Sequence, residues 1–97
     1  MIAAFGDRDT EGLFHGRAAR RACRFPAAVI PAALRKLDML NAAASSLDLK
    51  SPPGNHLEAL KGNLKGFLSI RVNERWRIIF KWHDGNASAV KLLDYHE

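Results

Sequence analysis

The sequence predicts an α+β fold in which N-terminal helices pack on one face of a twisted antiparallel sheet. Between Pro26 and Ala44, apolar residues recur at the spacing of an amphipathic helix. Between Phe67 and Trp82 they alternate with polar residues, as in strands that bury one face. A chain of 97 residues is expected to form one domain, residues 1–97.

The composition is typical of a small folded protein with a basic surface. Hydrophobic residues make up 47% of the chain and charged residues 26%, which argues against disorder. Lys and Arg number 15 against 10 Asp and Glu, giving a formal charge of +5. This excess favours nucleic acid or an acidic protein as partner, although many small basic domains bind neither.

The protein is expected to be cytoplasmic and to have no membrane partner. Cys23 is the sole cysteine, so an intramolecular disulfide is excluded, which fits a reducing compartment. The first residues lack the pattern of a signal peptide. The longest apolar run, Ala27–Leu34, contains Pro31 and is too short to span a bilayer.

The first elements are predicted from capping signals. Ile2–Phe5 is compatible with a short strand. Asp9 or Thr10 is expected to cap a helix that runs to about His15, and Gly16 supplies a stop. After this stop, four arginines at positions i, i+3, i+4 and i+7 form either a solvated helix face or a stripe that docks phosphate. They are Arg17, Arg20, Arg21 and Arg24.

The main helix is predicted over Pro26–Ala44, with its apolar stripe buried against a sheet. Pro31 removes a helical hydrogen bond, so either the helix kinks there or its regular part begins near this residue. Residues Ser45–Gly54, rich in Ser and Pro, are expected to form a connecting loop.

Two alternating runs, Phe67–Val72 and Trp76–Trp82, are predicted to pair as a hairpin. A three-residue loop, Asn73–Arg75, keeps both apolar sets on one face and pairs Ile70 with Ile78. A two-residue loop would instead mix arginines into the apolar side. The apolar pattern therefore favours the longer loop.

The next hairpin is predicted by the same reasoning. A three-residue loop, Asp84–Asn86, pairs Ile78 with Leu92 and Phe80 with Val90, so that all four side chains reach the core. A tight turn made of the Asp-Gly pair alone would leave the following lysine facing inward, so the longer loop is preferred.

The predicted register gives the second sheet face its chemistry. Arg71 stands directly across from Arg77, and Lys81 and Tyr95 share their face. Like charges on adjacent strands destabilise a sheet by a few tenths to about 1 kcal/mol. Such a pair indicates an offsetting acid or an anionic ligand, the alternative being exposed arginines with no function.

These residue types suit cleavage of RNA without a metal, in which the 2′-hydroxyl attacks the neighbouring phosphate. The reaction needs a base, cations for the charge on phosphorus, and an acid for the leaving oxygen. Arginine grips a phosphate with two parallel donors, and histidine transfers protons at neutral pH. A histidine near a chain end is also often a plain surface residue. The candidates for catalysis are Arg77, Lys61, Asp94, Tyr95 and His96.

Four further residues are candidates for substrate binding around this face. They are Arg71, Arg75, His56 and Lys81. No pair of His, Asp or Glu residues has the spacing of metal ligands, so neither a metal nor another cofactor is expected.

Several motifs together resemble the HigB toxins of the RelE superfamily, also called plasmid-maintenance killer proteins. The resemblance runs over almost the whole chain and includes the segment from Asp7 to Phe14 and the main helix around Arg35. The motifs that carry it are Asn55-x-Leu57-Glu58-Ala59-Leu60-Lys61-Gly62, Ser69-Ile70-Arg71-Val72-Asn73, Trp76-Arg77-Ile78 and Asp94-Tyr95-His96.

The resemblance implies a RelE-like fold and the activity of a ribosome-dependent mRNA endonuclease. It also implies a HigA-like helix-turn-helix antitoxin as partner, the 70S ribosome and mRNA as targets, and operator DNA bound through the antitoxin. By position, Arg77 is implied to stabilise the phosphate, His96 to transfer a proton and Lys61 to add a cation. With a ribosomal target, the early arginine stripe is predicted from its charge to dock on the ribosome. A non-enzymatic gyrase inhibitor like the ParE toxins and an inactive antitoxin-binding domain are the alternatives.

Overall fold

The structure is a computed structural model and describes residues 1–16 and 25–94. Its helices and strands, in chain order, are α1 (Arg8–His15), α2 (Ile30–Ala42), β1 (Glu58–Ala59), β2 (Leu68–Arg71), β3 (Trp76–His83) and β4 (Asn86–Asp94). Short 3₁₀ helices at Ser46–Lys50, Pro53–Asn55 and Gly62–Leu64 lie in the connections. The predicted arginine stripe (Arg17, Arg20, Arg21, Arg24) and the candidates Tyr95 and His96 lie outside the described residues.

The four strands form an antiparallel sheet in the order β1-β2-β3-β4, with α1 and α2 packed against it. The predicted α+β architecture is confirmed. The core lies between α2 and the inward side chains of β2, β3 and β4, including Leu37, Ile70, Ile78, Phe80 and Leu92, each no more than 1% exposed. Apolar area withdrawn from water between these layers is the main stabilising term.

Helix α1 begins earlier than predicted. Asp7, rather than Asp9 or Thr10, is the N-cap, and its carboxylate accepts a hydrogen bond from the Thr10 N–H over 2.8 Å. The predicted end is correct, since Gly16 closes the helix with a left-handed φ of 68°. Thr10 is fully buried, and its hydroxyl accepts from the Leu92 N–H at 3.0 Å, which ties α1 to β4.

Helix α2 is shorter than predicted, beginning at Ile30 rather than Pro26 and ending at Ala42 rather than Ala44. Pro31 lies in its first turn, where the missing N–H is not needed, so the alternative of a late regular start is correct. Among the helices of the described ranges, none has the length and apolar character required to cross a membrane.

The segment before α1 does not form the regular strand predicted for Ile2–Phe5. It runs alongside β4 through isolated parallel bridges, Ile2 with Ala87 and Phe5 with Val90. The ladder is interrupted because Ala89, between these partners, has a left-handed φ of 52° and turns its backbone out of strand geometry.

The first hairpin has the predicted register. Ile70 pairs with Ile78 and Arg71 with Arg77. The Val72 N–H donates to the Trp76 carbonyl at 2.9 Å, which closes the three-residue loop. Alternation of apolar side chains was therefore sufficient to fix this pairing.

The second hairpin corrects the prediction of a three-residue loop. His83 pairs with Asn86, so the turn consists of Asp84 and Gly85 alone, both with positive φ. A bulge at Ala89 then shifts the register by one residue, so that Ile78 pairs with Leu92 as predicted. Because of this bulge, Lys91 faces away from the core, and the tight turn does not bury a lysine.

Candidate active site

The sheet face turned away from α2, here called the outer face, carries most of the predicted site residues of the strands. Cross-strand pairs Glu58–Ser69 and Arg71–Arg77 place these side chains on one side. Along β3, alternation adds Ile79 and Lys81 to the same face. On β1, β2 and β3 this face carries Glu58, Ser69, Arg71, Arg77, Ile79 and Lys81, and on β4 it carries their partners Ser88, Lys91 and Leu93.

Arg77 is held in place rather than freely solvated, with its side chain 14% exposed. Its Nη1 lies 3.2 Å from Oε1 of Glu58, and its Nη2 donates to the backbone carbonyl of His56 at 2.8 Å. These contacts fix the plane of the guanidinium at two points. Nε is buried and has no hydrogen-bond partner among the described residues.

Arg71, across from Arg77, is oriented by a local contact. Its Nε donates to the Asn73 carbonyl at 3.1 Å, which draws the side chain toward the β2–β3 turn. The two arginines are therefore direct cross-strand partners on the outer face, and Glu58 offsets the charge of Arg77, the member of the pair that it contacts.

Arg75 and Asp94 form a separate pair at the end of the hairpin. Arg75 Nη2 lies 2.9 Å from Asp94 Oδ2, with the side chains 63% and 34% exposed. Asp94 is the cross-strand partner of Trp76, whose side chain belongs to the helix side of the sheet. The structure thus joins Asp94 to Arg75 and places it on the face opposite Arg77.

Both predicted lysines are exposed. The Lys81 ammonium lies 5.1 Å from the centre of the Phe67 ring, a cation–π distance. Lys61 follows β1 and immediately precedes the 3₁₀ helix Gly62–Leu64. Within the described residues, neither lysine is hydrogen-bonded to Arg71 or Arg77.

The turn before β1 is built around Asn55, which is fully buried. Its amide donates to the carbonyls of Leu49 (3.1 Å) and Ser51 (3.4 Å), and its oxygen accepts from the Lys36 ammonium on α2. Burial, followed by repulsion from neighbouring Arg35, lowers the pKa of Lys36 below its ordinary value. The predicted loop is therefore anchored to the main helix by a buried amide.

His56, a predicted substrate-binding residue, follows Asn55 in a left-handed conformation, with φ 45° and ψ 54°. Its side chain is exposed, and its carbonyl is the group that meets Arg77. The two other non-glycine residues with positive φ in the described chain, Asp84 and Ala89, belong to the second hairpin and its bulge.

The arrangement suits an anionic substrate and acid–base chemistry. A fixed guanidinium, a neighbouring arginine and a partly exposed carboxylate lie within one small area. Among residues 1–16 and 25–94, no group of three or more His, Cys, Asp or Glu side chains is placed to hold a metal ion.

Glu58 and Asn55 belong to the family motif that begins at Asn55, but neither was predicted as a site residue. Glu58 lies in a strand of two residues, too short for alternation to assign a face. Its signal was chemical, since the opposed arginines required an acid and Glu58 was one of the few acids in the second half of the chain. Asn55 offered no such signal, because its partners come from α2 and from backbone carbonyls.

Comparison with known protein families gives a match over nearly the whole chain. Residues 11–96 match a family model described as a RelE-like toxin of the type II toxin–antitoxin system HigB. The chain is similar to Toxin HigB-1 of Vibrio cholerae serotype O1, with 50% identity over 72 residues, or 74% of this chain and 75% of that protein.

A more distant relative and a solved structure extend the comparison. The chain is 32% identical over 66 residues to Endoribonuclease HigB of Proteus vulgaris, covering 62% of this chain and 72% of the relative. A chain of the YoeB–YefM complex from Staphylococcus aureus superposes with a TM-score of 0.58 at 15% identity, covering 100% of this chain and 99% of that one. At this identity the superposition establishes a shared fold.

Proposed function

Since this chain belongs to the HigB family of RelE-like toxins of type II toxin–antitoxin systems, we propose that it is an endoribonuclease that cleaves mRNA on the ribosome. The Proteus vulgaris relative is named an endoribonuclease, which supports this activity. The observation that carries the proposal is the outer-face group of Arg71, Arg77 and Glu58, which combines two phosphate-binding cations with a carboxylate.

The proposed reaction uses the RNA itself as nucleophile and requires no metal. A base removes the proton of a 2′-hydroxyl, the 2′-oxygen bonds to the adjacent phosphorus, and the bond to the 5′-oxygen breaks. An acid protonates that leaving oxygen, so the products are a 2′,3′-cyclic phosphate and a 5′-hydroxyl. Protons and charge balance without a cofactor.

In this reaction Arg77 and Arg71 stabilise the charge that accumulates on the phosphate oxygens. Glu58, 3.2 Å from the Arg77 guanidinium and 45% exposed, is a candidate base for the 2′-hydroxyl. His96 is the candidate acid and Tyr95 a stacking platform for a base, with Lys61 and Lys81 contributing positive charge along the bound RNA.

The remaining predicted residues are assigned to docking. Arg75 and the exposed side chain of His56 are proposed to contact the RNA beside the reacting phosphate, with Asp94 holding Arg75 through their ion pair. The stripe Arg17, Arg20, Arg21 and Arg24 is proposed to meet ribosomal RNA, because four clustered cations suit a phosphate backbone.

The partner of a toxin in such a system is its antitoxin. We propose a helix-turn-helix antitoxin of the HigA kind, through which the complex binds its operator DNA. The 70S ribosome and mRNA are the proposed targets, and the cytoplasm the proposed location.

The test is addition of the purified protein to translating ribosomes, with mapping of RNA ends on the message. Cuts are expected only on ribosome-bound message, and the new ends should carry 2′,3′-cyclic phosphate and 5′-hydroxyl groups. Glu58→Gln, which keeps the shape of the side chain and removes its basicity, should slow cleavage at saturating substrate. His96→Ala should slow protonation of the leaving oxygen.

Two outcomes would overturn the proposal. Intact message, combined with blocked supercoiling by purified gyrase, would replace it with a gyrase inhibitor on the same fold. Intact message and normal growth of cells that express the protein would indicate a domain that only binds its antitoxin.

A further inference from the structure

The contact that joins Arg77 to the connection between α2 and β1 is made by a main-chain atom. Arg77 Nη2 donates to the carbonyl oxygen of residue 56 at 2.8 Å, while the His56 side chain is exposed. Glu58 meets the other terminal nitrogen. The guanidinium plane is thus fixed between a carboxylate and a carbonyl.

The direction of this carbonyl depends on the left-handed backbone of His56, with φ 45° and ψ 54°. Glycine adopts this conformation freely and asparagine comparatively often, whereas β-branched residues avoid it. A change to extended backbone would rotate the carbonyl of residue 56 out of reach of Arg77.

The turn that holds this conformation is anchored from the helix side of the molecule. The buried amide of Asn55 bonds to the carbonyls of Leu49 and Ser51 and accepts from the ammonium of Lys36 on α2. The turn is therefore held by hydrogen bonds to the main helix at the Asn55 side chain, and it bonds to Arg77 through the carbonyl of the next residue.

We infer that the Asn55–His56 turn is a positioning element for Arg77 and acts through the backbone carbonyl of residue 56. This inference rests on the proposed endoribonuclease activity. The imidazole of His56 then contributes to RNA binding, whereas the carbonyl of residue 56 contributes to the rate of cleavage. Loss of the carbonyl contact frees one side of the guanidinium, and a displacement near 1 Å at a reacting group lowers a rate by about 100-fold.

Three substitutions at one position separate the carbonyl from the imidazole. His56→Gly and His56→Asn remove the ring but permit the left-handed backbone, whereas His56→Val removes the ring and disfavours that backbone. In the ribosome assay, all three variants lose the RNA contact of the ring and are expected to raise KM. The Gly and Asn variants should change kcat little, whereas the Val variant should in addition lose about 100-fold in kcat.

Asp84→Val is the matched control for backbone strain. Asp84 also has a left-handed φ, 50°, but lies in the turn at the opposite end of β3 from Arg77. This variant should lower the unfolding temperature about as much as His56→Val while leaving kcat intact. If both variants lose kcat alike, loss of stability explains the result and the inference is wrong.

A spectroscopic arm reports on Arg77 directly. In ¹⁵N NMR of arginine side chains, Arg77 should give resolved, exchange-protected Nη signals in the wild type and in the Gly and Asn variants. These signals should merge in His56→Val and persist in Asp84→Val. Arg77 signals that do not respond to the Val substitution would overturn the inference.

The two arms distinguish the possible failures. Equal loss of kcat in all three position-56 variants would assign the role to the imidazole, and no loss in any would remove the turn from the mechanism. Absence of RNA cleavage by the wild type would reject the proposed function alone, because the NMR signals still test whether the carbonyl of residue 56 positions Arg77.

Discussion

The two faces of the sheet are held by different interactions, and β3 displays both in successive residues. Ile78 and Phe80 point toward the helices and are fully buried in an apolar cluster. Arg77 and Lys81 point away and are oriented by a carboxylate, a carbonyl and an aromatic ring. Packing on the inner face therefore fixes the register, and the register then determines which cations are cross-strand partners on the outer face.

The substitution with the largest expected effect on the inner face is Phe80→Ala. It deletes a fully buried ring that packs edge-on against Trp82, with 6.4 Å between the ring centroids. It is expected to lower the free energy of unfolding by about 3–5 kcal/mol. Phe67→Ala, on the half-buried outer face, is the matched control and should lose clearly less. Equal losses in urea unfolding would show that the faces do not differ as described.

On the outer face, Arg77→Lys keeps the charge but removes the planar fork that reaches both Glu58 and the carbonyl of residue 56. Cleavage on the ribosome should fall about 100-fold, the scale of one lost transition-state donor. Arg35→Lys, on the exposed side of α2, is the control and should cleave normally. A fully active Arg77→Lys variant would mean that charge alone suffices at this position.

Asn55→Ala tests the hydrogen bonds that join the turn before β1 to helix α2. It leaves the carbonyls of Leu49 and Ser51 and the Lys36 ammonium without their buried partner. The free energy of unfolding should fall by about 1–3 kcal/mol. Asn63→Ala, at an exposed position, should change it little. Thermal unfolding of both variants, compared with the wild type, gives the answer.

The bulge in β4 offers a smaller, stabilising change. Ala89 has a left-handed φ of 52°, which costs an L-residue about 1–2 kcal/mol relative to glycine. Ala89→Gly should therefore raise the free energy of unfolding by roughly 1 kcal/mol, reduced by the greater entropy of an unfolded glycine. A destabilised variant would indicate that packing of the Ala89 methyl group outweighs the backbone strain.

The smallest expected effect is the titration of Lys36, whose pKa is lowered by burial and then by Arg35. Between its folded pKa and the ordinary value of 10.5, the unfolded chain binds a proton that the folded chain does not. Through this group, stability should rise as pH increases across that interval and be flat below it. Comparison of wild type with Lys36→Met in unfolding experiments at increasing pH isolates this slope.

The sequence was informative where apolar and polar side chains alternate regularly. Alternation around Ile70 and Ile78 predicted the first hairpin, and from it the pairing of Arg71 with Arg77. The second turn was predicted wrongly because of a bulge at Ala89, for which the sequence has no recognisable pattern. The bulge adds one residue to β4, so that a tight Asp-Gly turn is compatible with a buried Leu92. The apolar pattern therefore predicted the strand pairing beyond the bulge correctly, but not the length of the turn.

The candidate site was only partly predictable for a related reason. Arg77 was found from its place in a strand, but its partners, Glu58 and the carbonyl of residue 56, come from a short strand and an irregular turn. Neither segment shows a repeating pattern of apolar residues in the sequence. Asp94 was predicted to act in catalysis together with Arg77, whereas the pairing with Trp76 places it on the other face, beside Arg75.

The chain that precedes α1 has a protective consequence for the sheet. Its backbone exchanges hydrogen bonds with Ala87 and Val90, at 2.7–3.2 Å, along the margin of β4 that would otherwise be open. An uncovered strand margin templates addition of foreign strands and aggregation. At the opposite margin, β1 offers only Glu58 and Ala59. An incoming extended peptide therefore finds a strand of only two residues to pair with on β1.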